Sequence, residues 1–394
     1  RWTDRRYVTA AHTNTLYMVG ISETHGMELV ETVPLTLTPR QPAGMMPASL
    51  ALNAKKTEVY IACAGANAVA VASVDSMRTA VLGFLPAGLE PRAVRPVKGD
   101  GVGILNTRGW GARTGAKADK PHGAEQPAAA NVQILPAFSL DDLAQYSRIV
   151  QASVPYRDAK LVDAGVPAGN PVPTQPGNPS PIRHVVYVLK GTLRFDALYG
   201  GAGLGAGARS LARYGSEIAP NHHKLAKEFT LLDNFHAGST NEIEGRYKAA
   251  ASIVPDAVSR LWRDLPDGWP LSADVYPLWQ PPAGYLWTGA ASKGLTLANY
   301  GWWVQNLDLA PVGSRQVGMV LDPNLEPRTN KNFRGPDPGV TDISRMEVFL
   351  SDLKAAEAKG EFPALTLIRL ANSDLGADEI EPQPIRQTRG KLED

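Results

Sequence analysis

The chain has 394 residues, 43% of them hydrophobic, and 40 Lys and Arg against 39 Asp and Glu give a formal net charge of +1. This apolar content is enough for two domains or one large one, and it excludes a disordered chain. Charges of one sign form no long run, so nothing predicts a nucleic-acid or anionic-membrane partner. No apolar stretch reaches the roughly 18 residues that span a bilayer, and we expect no transmembrane segment.

Cys63 is the only cysteine, which excludes an intrachain disulfide and a cysteine-based zinc cluster. Its setting, YIACA at residues 60–64, predicts a buried strand and an unreactive, packed thiol. The chain begins at Arg1 with neither Met nor a signal peptide, so we expect a processed or partial product.

An internal repeat of 44 residues runs through the first part of the chain. PAGMMPASL at residues 42–50 returns as PAGLEPRAV at residues 86–94, and this period suits one four-stranded blade of a β-propeller. The candidate strands here are residues 16–20, 28–34, 58–62, 68–74 and 79–85. Two to three blades do not close a ring, so we expect further blades before Arg1 or from another chain.

Residues 111–130 are small and polar and predict an exposed loop. A candidate strand at residues 131–138 is followed by a helix for which Ser139 is the expected N-cap, with Asp142 completing a capping box. The proline-rich residues 161–181 predict a linker into a second domain.

From residue 182 onward strands and helices alternate, which favours a doubly wound parallel sheet. The candidate strands are residues 184–189, 230–232, 295–300 and 364–370, and the candidate helices are 221–229, 285–293 and one between Asp342 and Gly360. The last helix is capped by Thr341 and Asp342, ends at Gly360, and carries an apolar stripe that includes Phe349 and Leu350.

The apolar run at residues 184–189 lies between Pro181 and Gly191. Such a run predicts a strand covered on both faces, and so a central position in the sheet. Because ligands of open α/β sheets bind beyond the carboxyl ends of the strands, Lys190, Asn234 and Asp374 are predicted to line a ligand crevice.

Several of these strings resemble known families. PAG, LAL, VYIA and NAVAVASV are similar to the YVTN type of β-propeller. IRHVVYVLK, APNHHKLAKEFTLLDNF, GYLWTGAASKGLTLANYG and DISRMEVFLSDLKAAEAKGEFPALTLIRL follow one another as in the phosphoesterase family of the alkaline-phosphatase superfamily.

The resemblance implies a mixed fold: a partial, all-β propeller followed by an α/β domain with a doubly wound parallel sheet of the alkaline-phosphatase type. Residues 1–160 would be the C-terminal propeller blades with a connecting strand and helix, and residues 161–181 the linker. Residues 182–394 would be the phosphoesterase domain, which we expect to be incomplete at its C-terminus. The resemblance also implies a periplasmic or secreted location.

The family's catalytic positions hold other residues in this chain. Where the family reads KENRTFD, with a metal-associated Glu and Asn, this sequence reads KGTLRFD. Glu242 aligns with the family's hydroxyl nucleophile and Arg246 with a family histidine. Beyond the last strand, Leu375 takes the place of the histidine in the family's PNDHT string.

Metal-dependent phosphoryl transfer needs carboxylate and histidine ligands, an activated hydroxyl and positive charge near the phosphoryl oxygens. Their joint replacement predicts a non-catalytic phosphoesterase-like protein, without a cofactor, that acts as a structural or interaction subunit with a protein partner or oligomer. Two alternatives stay open. One is a metal-dependent phosphoesterase that hydrolyses phosphate mono- or diesters with Zn, Mn, Mg or Ca, and the other is a propeller that binds a protein or ligand.

The remaining polar residues supply the candidates for a site. They are Thr192, Thr240 and Glu242 for catalysis, Asp233 and Asp374 for metal binding, and Lys190, Asn234 and Asp374 for the ligand crevice. Each has a plainer interpretation: hydrogen bonding within a loop for the threonines, solvation for Glu242 and Glu244 in a strand or loop, and orientation of the next loop for Asp233.

Two further pairs of neighbouring residues are candidates for binding a metal or a ligand. His222 and His223 are neighbours near a helix start, where their side chains point about 100° apart, so packing or capping is favoured over binding one metal. Trp302 and Trp303 follow a predicted strand and could stack on a ligand, but burial under a loop is favoured.

Overall fold

The computed structural model describes most of the chain between residues 4 and 371. The described residues are 4–109, 130–154, 156–159, 165–167, 169–175, 177–190, 195–205, 207, 209, 212–233, 235, 239, 242–261, 276–306, 319–337 and 340–371. The chain divides into two compact units. The first contains Arg1–Pro179, Ile253–Arg260 and Leu278–Ala283, and the second contains Ser180–Ser252, Leu261–Pro277 and Gly284–Asp394.

The fold is mixed: several antiparallel sheets, which close no barrel among the described residues, and one parallel sheet with helices. The elements of the first part are β1 (Asp4–Ala10), β2 (Thr15–Ser22), β3 (Gly26–Pro34), β4 (Pro47–Leu52), β5 (Glu58–Cys63), β6 (Ala68–Ser73), β7 (Ala80–Pro86), β8 (Pro91–Val97), β9 (Gly101–Asn106), β10 (Asn131–Leu135) and α1 (Leu140–Ser153). Those that follow are β11 (Val185–Lys190), α2 (Phe195–Tyr199), α3 (Pro220–Glu228), α4 (Glu242–Ala251), α5 (Asp256–Leu261), α6 (Tyr276–Trp279), α7 (Leu286–Ser292), β12 (Leu297–Tyr300), β13 (Val304–Gln305), β14 (Met319–Val320), α8 (Asp342–Lys359) and β15 (Leu365–Leu370).

Three antiparallel sheets form the layers of the first unit: β1-β2-β3, β4-β5-β6-β7 and β8-β9-β10. Successive side chains of a strand point to opposite faces, and on β5 both faces are buried. Val59 and Ile61 pack in one core cluster with Leu16 of the first sheet. Tyr60 packs in another cluster with Ile104 of the third sheet. The four-stranded sheet is therefore the middle layer, and the strands predicted in this region are confirmed.

Helix α1 covers the edge strand β7 of the middle sheet. Its start is the predicted capping box: Ser139 Oγ accepts from the Asp142 amide at 3.1 Å, and the Asp142 carboxylate accepts from the Ser139 amide at 2.9 Å. Farther along, Ser147 Oγ accepts from the Phe84 amide at 2.9 Å. An edge strand otherwise presents unpaired backbone groups, so this contact protects the sheet from further pairing at that point.

Segment 253–260 belongs to the first unit although it follows the parallel sheet's first strand in the chain. Arg92 joins it to the β-sheets, with Nη1 2.6 Å from Asp256 Oδ1 and Nη2 2.6 Å from Glu90 Oε1. Burial works to raise the pKa of Glu90, but hydrogen bonding and charge from Arg92, with Arg108, outweigh it and hold that pKa below its ordinary value.

The parallel sheet of the second unit has the order β11-β15-β12. All six residues of β15 are buried, whereas Val185, Val186 and Val188 of β11 are exposed. The prediction that this first strand is central is wrong, because β15 pairs with both of the others and β11 lies at an edge of the described sheet. An apolar run indicates burial only when a neighbouring element covers it.

A second correction concerns residues 230–232, which are not a strand. Leu232 is exposed there, and the segment has no partner in the described sheet, so β propensity without pairing does not make a strand. The described parallel sheet therefore has three strands instead of the predicted four.

Helix α8 follows its predicted bounds. Thr341 Oγ1 accepts from the Ser344 amide at 3.1 Å, and Gly360 ends the helix in the left-handed conformation with a φ of 69°. Phe349 packs in the core against the sheet, but Leu350, which was predicted in the same stripe, is exposed. No helix within the described ranges, α8 included, is long and apolar enough to cross a membrane.

The thiol of Cys63 is fully buried on β5, and burial raises its pKa to about 12. Since the thiolate is the reactive form, we expect iodoacetamide to leave Cys63 unmodified in the native protein near neutral pH and to alkylate it completely in denaturant. Mass spectrometry of the intact chain measures this. The control is Met77→Cys at an exposed turn position, which should react under native conditions, and equal native rates at the two thiols would contradict the prediction.

Candidate functional site

The carboxyl end of the parallel sheet is held together by one buried carboxylate, Asp342, the first residue of α8. Its Oδ1 accepts from Arg345 Nη1 at 2.8 Å and from the backbone amide of Ala371 at 3.2 Å. Its Oδ2 lies 3.6 Å from Nζ of Lys190, the last residue of β11. The carboxylate thus joins the ends of two strands to a helix start, where negative charge is favourable.

Arg345 is fully buried beside this carboxylate. It also donates to four backbone carbonyls: Nε to Arg334 at 2.9 Å, Nη1 to Val340 at 2.9 Å, and Nη2 to Gly335 at 2.8 Å and to Asp337 at 3.3 Å. Burial lowers the pKa of Arg345 and the charge of Asp342 opposes that shift. A buried ion pair is tolerated when its remaining donors are satisfied, and this guanidinium meets that condition.

A second ionic cluster lies on the opposite face of the sheet. Lys190 pairs in register with Leu370, and the preceding Arg369 therefore faces the other way. Arg369 Nη2 lies 2.9 Å from Oε1 of Glu242, which is also ion-paired with Arg246 one turn along α4. Glu242 and Arg246 were aligned by resemblance with the nucleophile and a histidine of the phosphoesterases, and in the structure these two residues form an ion pair.

The predicted setting of Glu242 and Glu244 in a strand or loop is wrong, because both lie in the first turn of α4. Glu244 is buried and accepts from Ser239 Oγ at 2.8 Å. A helix start attracts carboxylates through its exposed backbone amides, which is the local reason for finding two of them there.

The two histidines occupy different surroundings at the start of α3. His223 is buried, with its ring 5.5 Å from that of Tyr199 in an edge-on contact, so packing is its role. Burial lowers the pKa of His222, and the charges of Lys190 and His223 lower it further. The charge of Lys190 at the end of β11 thus acts on the ring of His222.

Asp233 is exposed and lies close to Gly205. Gly205 has a φ of +67°, and a Cβ there would come within 2.6 Å of Asp233 Cβ, so the loop needs glycine at this point. Thr192, Asn234, Thr240 and Asp374 lie outside the described residues. Among the residues that are described, no group of three or more His, Cys, Asp and Glu side chains is arranged to hold a metal ion.

Trp302 and Trp303 are buried just after β12, as favoured from the sequence. The ring of Trp302 stacks on Tyr187 with centroids 5.5 Å apart, and its Nε1 donates to the Ile368 carbonyl at 3.2 Å. Trp303 meets Tyr285 edge-on at 5.4 Å. These rings pack against each other, so they do not present a face to a ligand.

Sequence reasoning missed the roles of Arg345 and Arg369. A charge inside the otherwise apolar string LTLIRL was a signal that Arg369 needs a buried partner, since an unpaired buried charge is costly. The spacing of Asp342 and Arg345 was a second signal, because residues three apart on a helix are neighbours. Neither pattern shows which distant residues complete the clusters.

No model of a known protein family matches this chain, and a search of the curated proteins finds no match either. The resemblance to propellers and phosphoesterases therefore rests on the residues and strings quoted above.

The ion pair of Glu242 can be tested by Glu242→Gln. Loss of the negative charge leaves the nearly buried Arg369 beside a neutral amide, and we expect the free energy of unfolding to fall by about 1–3 kcal/mol. Glu326→Gln is the matched control, because Glu326 pairs with Lys331 at an exposed position and should cost less than about 1 kcal/mol. Urea unfolding measures both, and equal losses would show that the Glu242 cluster is no stronger than a surface pair.

The lowered pKa of His222 predicts a pH dependence of stability. Between that pKa and the ordinary value of 6.5 the unfolded chain binds more protons than the folded one, so stability falls as pH drops through this window. We expect His222→Asn to lose less stability than the wild type between about pH 8 and pH 5. His25→Asn, at an exposed position, is the control, and an unchanged pH profile in His222→Asn would refute the expectation.

Proposed function

We propose that the second unit is an alkaline-phosphatase-like framework kept without catalysis, and that the chain acts as a structural or interaction subunit of a larger assembly. The observation that carries this proposal is the position of Glu242. It aligns with the hydroxyl nucleophile of the phosphoesterases, and its carboxylate is bound by Arg369 and Arg246. A carboxylate engaged by two guanidinium groups cannot replace a hydroxyl that attacks phosphorus.

The charges around the strand ends support the same conclusion. Catalysis by a divalent ion needs carboxylates that are free to coordinate it. Here the carboxylate of Asp342 is engaged by Arg345 and Lys190, and that of Glu242 by arginines. Cations of the chain itself thus neutralise the acidic groups that a metal ion would use, and the strand ends are stabilised as packing elements.

The layered sheets of the first unit support its assignment as propeller blades. The turns between β1 and β2 and between β5 and β6 are alike: each is a short 3₁₀ turn that ends in a left-handed asparagine, Asn14 and Asn67. Each asparagine also hydrogen-bonds to the connection that leads into the next sheet, Asn14 to Met45 and Asn67 to Glu90. A repeated turn with a repeated contact is typical of repeated structural units.

Metal analysis and a phosphatase assay on the purified protein test the proposal. After exposure to Zn, Mn, Mg and Ca and removal of unbound ions, we expect bound metal well below one equivalent per chain. Hydrolysis of an aryl phosphate ester should equal the buffer rate. Thr240→Ala and Asp374→Ala serve as matched variants, because both positions were candidates from the sequence, and both should behave as the wild type does.

Stoichiometric metal together with turnover that Thr240→Ala or Asp374→Ala abolishes would overturn the proposal in favour of a metal-dependent phosphoesterase. Turnover that survives both substitutions but is lost in Glu242→Gln would also overturn it, because Glu242 would then act in catalysis and not in an ion pair.

A further inference from the structure

The two faces of the middle sheet in the first unit differ in what they contact. Its first face, with Ile61 and Ala70, packs in a core cluster with residues of the first sheet. Its second face, with Ala62 and Val69, packs in another cluster with residues of the third sheet. The middle sheet therefore contacts the first sheet with its first face and the third sheet with its second face.

The residues of the first sheet can be aligned with those of the middle sheet through their matching turns. Asn14, with a φ of 53°, corresponds to Asn67, with a φ of 52°, so β1 and β2 correspond to β5 and β6. Leu16 then corresponds to Val69 and so lies on the second face of the first sheet. It packs against the first face of the middle sheet, so this contact joins a second face to a first face. Val8 matches Ile61, which places Val8 on a first face against which no sheet packs among the described residues of the first unit.

This outer surface of the first sheet carries exposed apolar side chains beside the exposed ion pair of Asp4 and Arg6. Cross-strand pairing sets Val8 beside Tyr17, and Val19 beside Leu29. Val8 is 49% exposed, Leu29 60% and Met27, on the same strand as Leu29, 74%. We call the patch of Val8, Met27 and Leu29 the leading face.

The residues of the third sheet can be aligned with those of the middle sheet through the register of their strand pairs. Pro47 pairs with Cys63, and after a bulge Ser49 pairs with Ala62. In the third sheet Pro91 pairs with Asn106, and after a bulge Ala93 pairs with Leu105. Leu105 therefore corresponds to Ala62 and lies on a second face.

The second face of the third sheet is also exposed. Leu105 pairs in register with Val132 of β10, and the exposures are 39% for Leu105, 68% for Val132 and 67% for Ile134. We call the patch of Leu105, Val132 and Ile134 the trailing face. Apolar patches on adjacent strands of one surface are typical of interaction sites.

We propose that a second copy of this chain covers both patches, with the trailing face of each copy packed on the leading face of the other. The trailing face is part of a second face, and the leading face is part of a first face. Surfaces of these two kinds already pack together twice inside the first unit. This step rests on the proposed assignment of the first unit as propeller blades: the three sheets of its described residues, taken from two copies, make six, which lies within the roughly 4–8 sheets of closed propellers. The contact is head-to-tail, so one patch never meets its own equivalent. It does not depend on the proposed loss of catalysis.

Engineered cysteines test this contact, since the native Cys63 is buried. Leu29→Cys lies on the leading face and Ile134→Cys on the trailing face. We expect the two variants, mixed and oxidised, to give a disulfide-linked pair on a non-reducing gel, and neither variant alone to do so. Light scattering of the wild type should give twice the chain mass of 42.2 kDa.

Charge substitution gives an independent measurement. Leu29→Asp and Ile134→Asp should each shift the protein to the mass of one chain, with an unchanged circular dichroism spectrum. Met77→Asp, at an exposed position between β6 and β7 of the middle sheet, should leave the two-copy mass intact. A wild type that has the mass of one chain at every concentration would overturn the inference, as would cross-linking of Leu29→Cys to itself or an assembly larger than two copies.

Discussion

A charge buried in a protein must be paired within the protein, and the second unit is arranged around that requirement at Asp342. Its carboxylate binds a guanidinium, a backbone amide at the end of β15 and the ammonium group at the end of β11. Two strands and the start of a long helix thereby meet at one point. Removal of Asp342 would leave the fully buried guanidinium of Arg345 without its carboxylate partner, so this carboxylate constrains both strand ends and the helix start.

The same requirement explains why the strand ends carry so much positive charge. Arg369 emerges from a fully buried strand and is met by Glu242 from a helix start on the other face of the sheet. A strand end that once served a divalent ion would instead need uncompensated carboxylates. In this chain the carboxylates of Asp342 and Glu242 both have cationic partners, and this links the packing of the unit to its proposed loss of catalysis.

The first unit obeys a different constraint, the two-residue period of a strand. The side chains of β5 and β6 are apolar on both faces of the middle sheet, so each face needs a covering layer. The first and third sheets provide these layers. The outer sheets repeat the pattern and leave apolar faces exposed. A stack of similar layers always ends in surfaces of the kind it buries inside, which is why the end faces are the natural place for association.

The sequence by itself determined the local features of this protein: the strands around Cys63, the capping box of Ser139 and Asp142, and the bounds of α8. These depend on residues that are neighbours along the chain. Only the tertiary structure decided that β11 lies at an edge, that Leu350 is exposed, and that Glu242 is paired with Arg369. Those outcomes depend on which distant segment covers a strand or meets a charge, and a periodic pattern states that a partner is needed without stating which one it is.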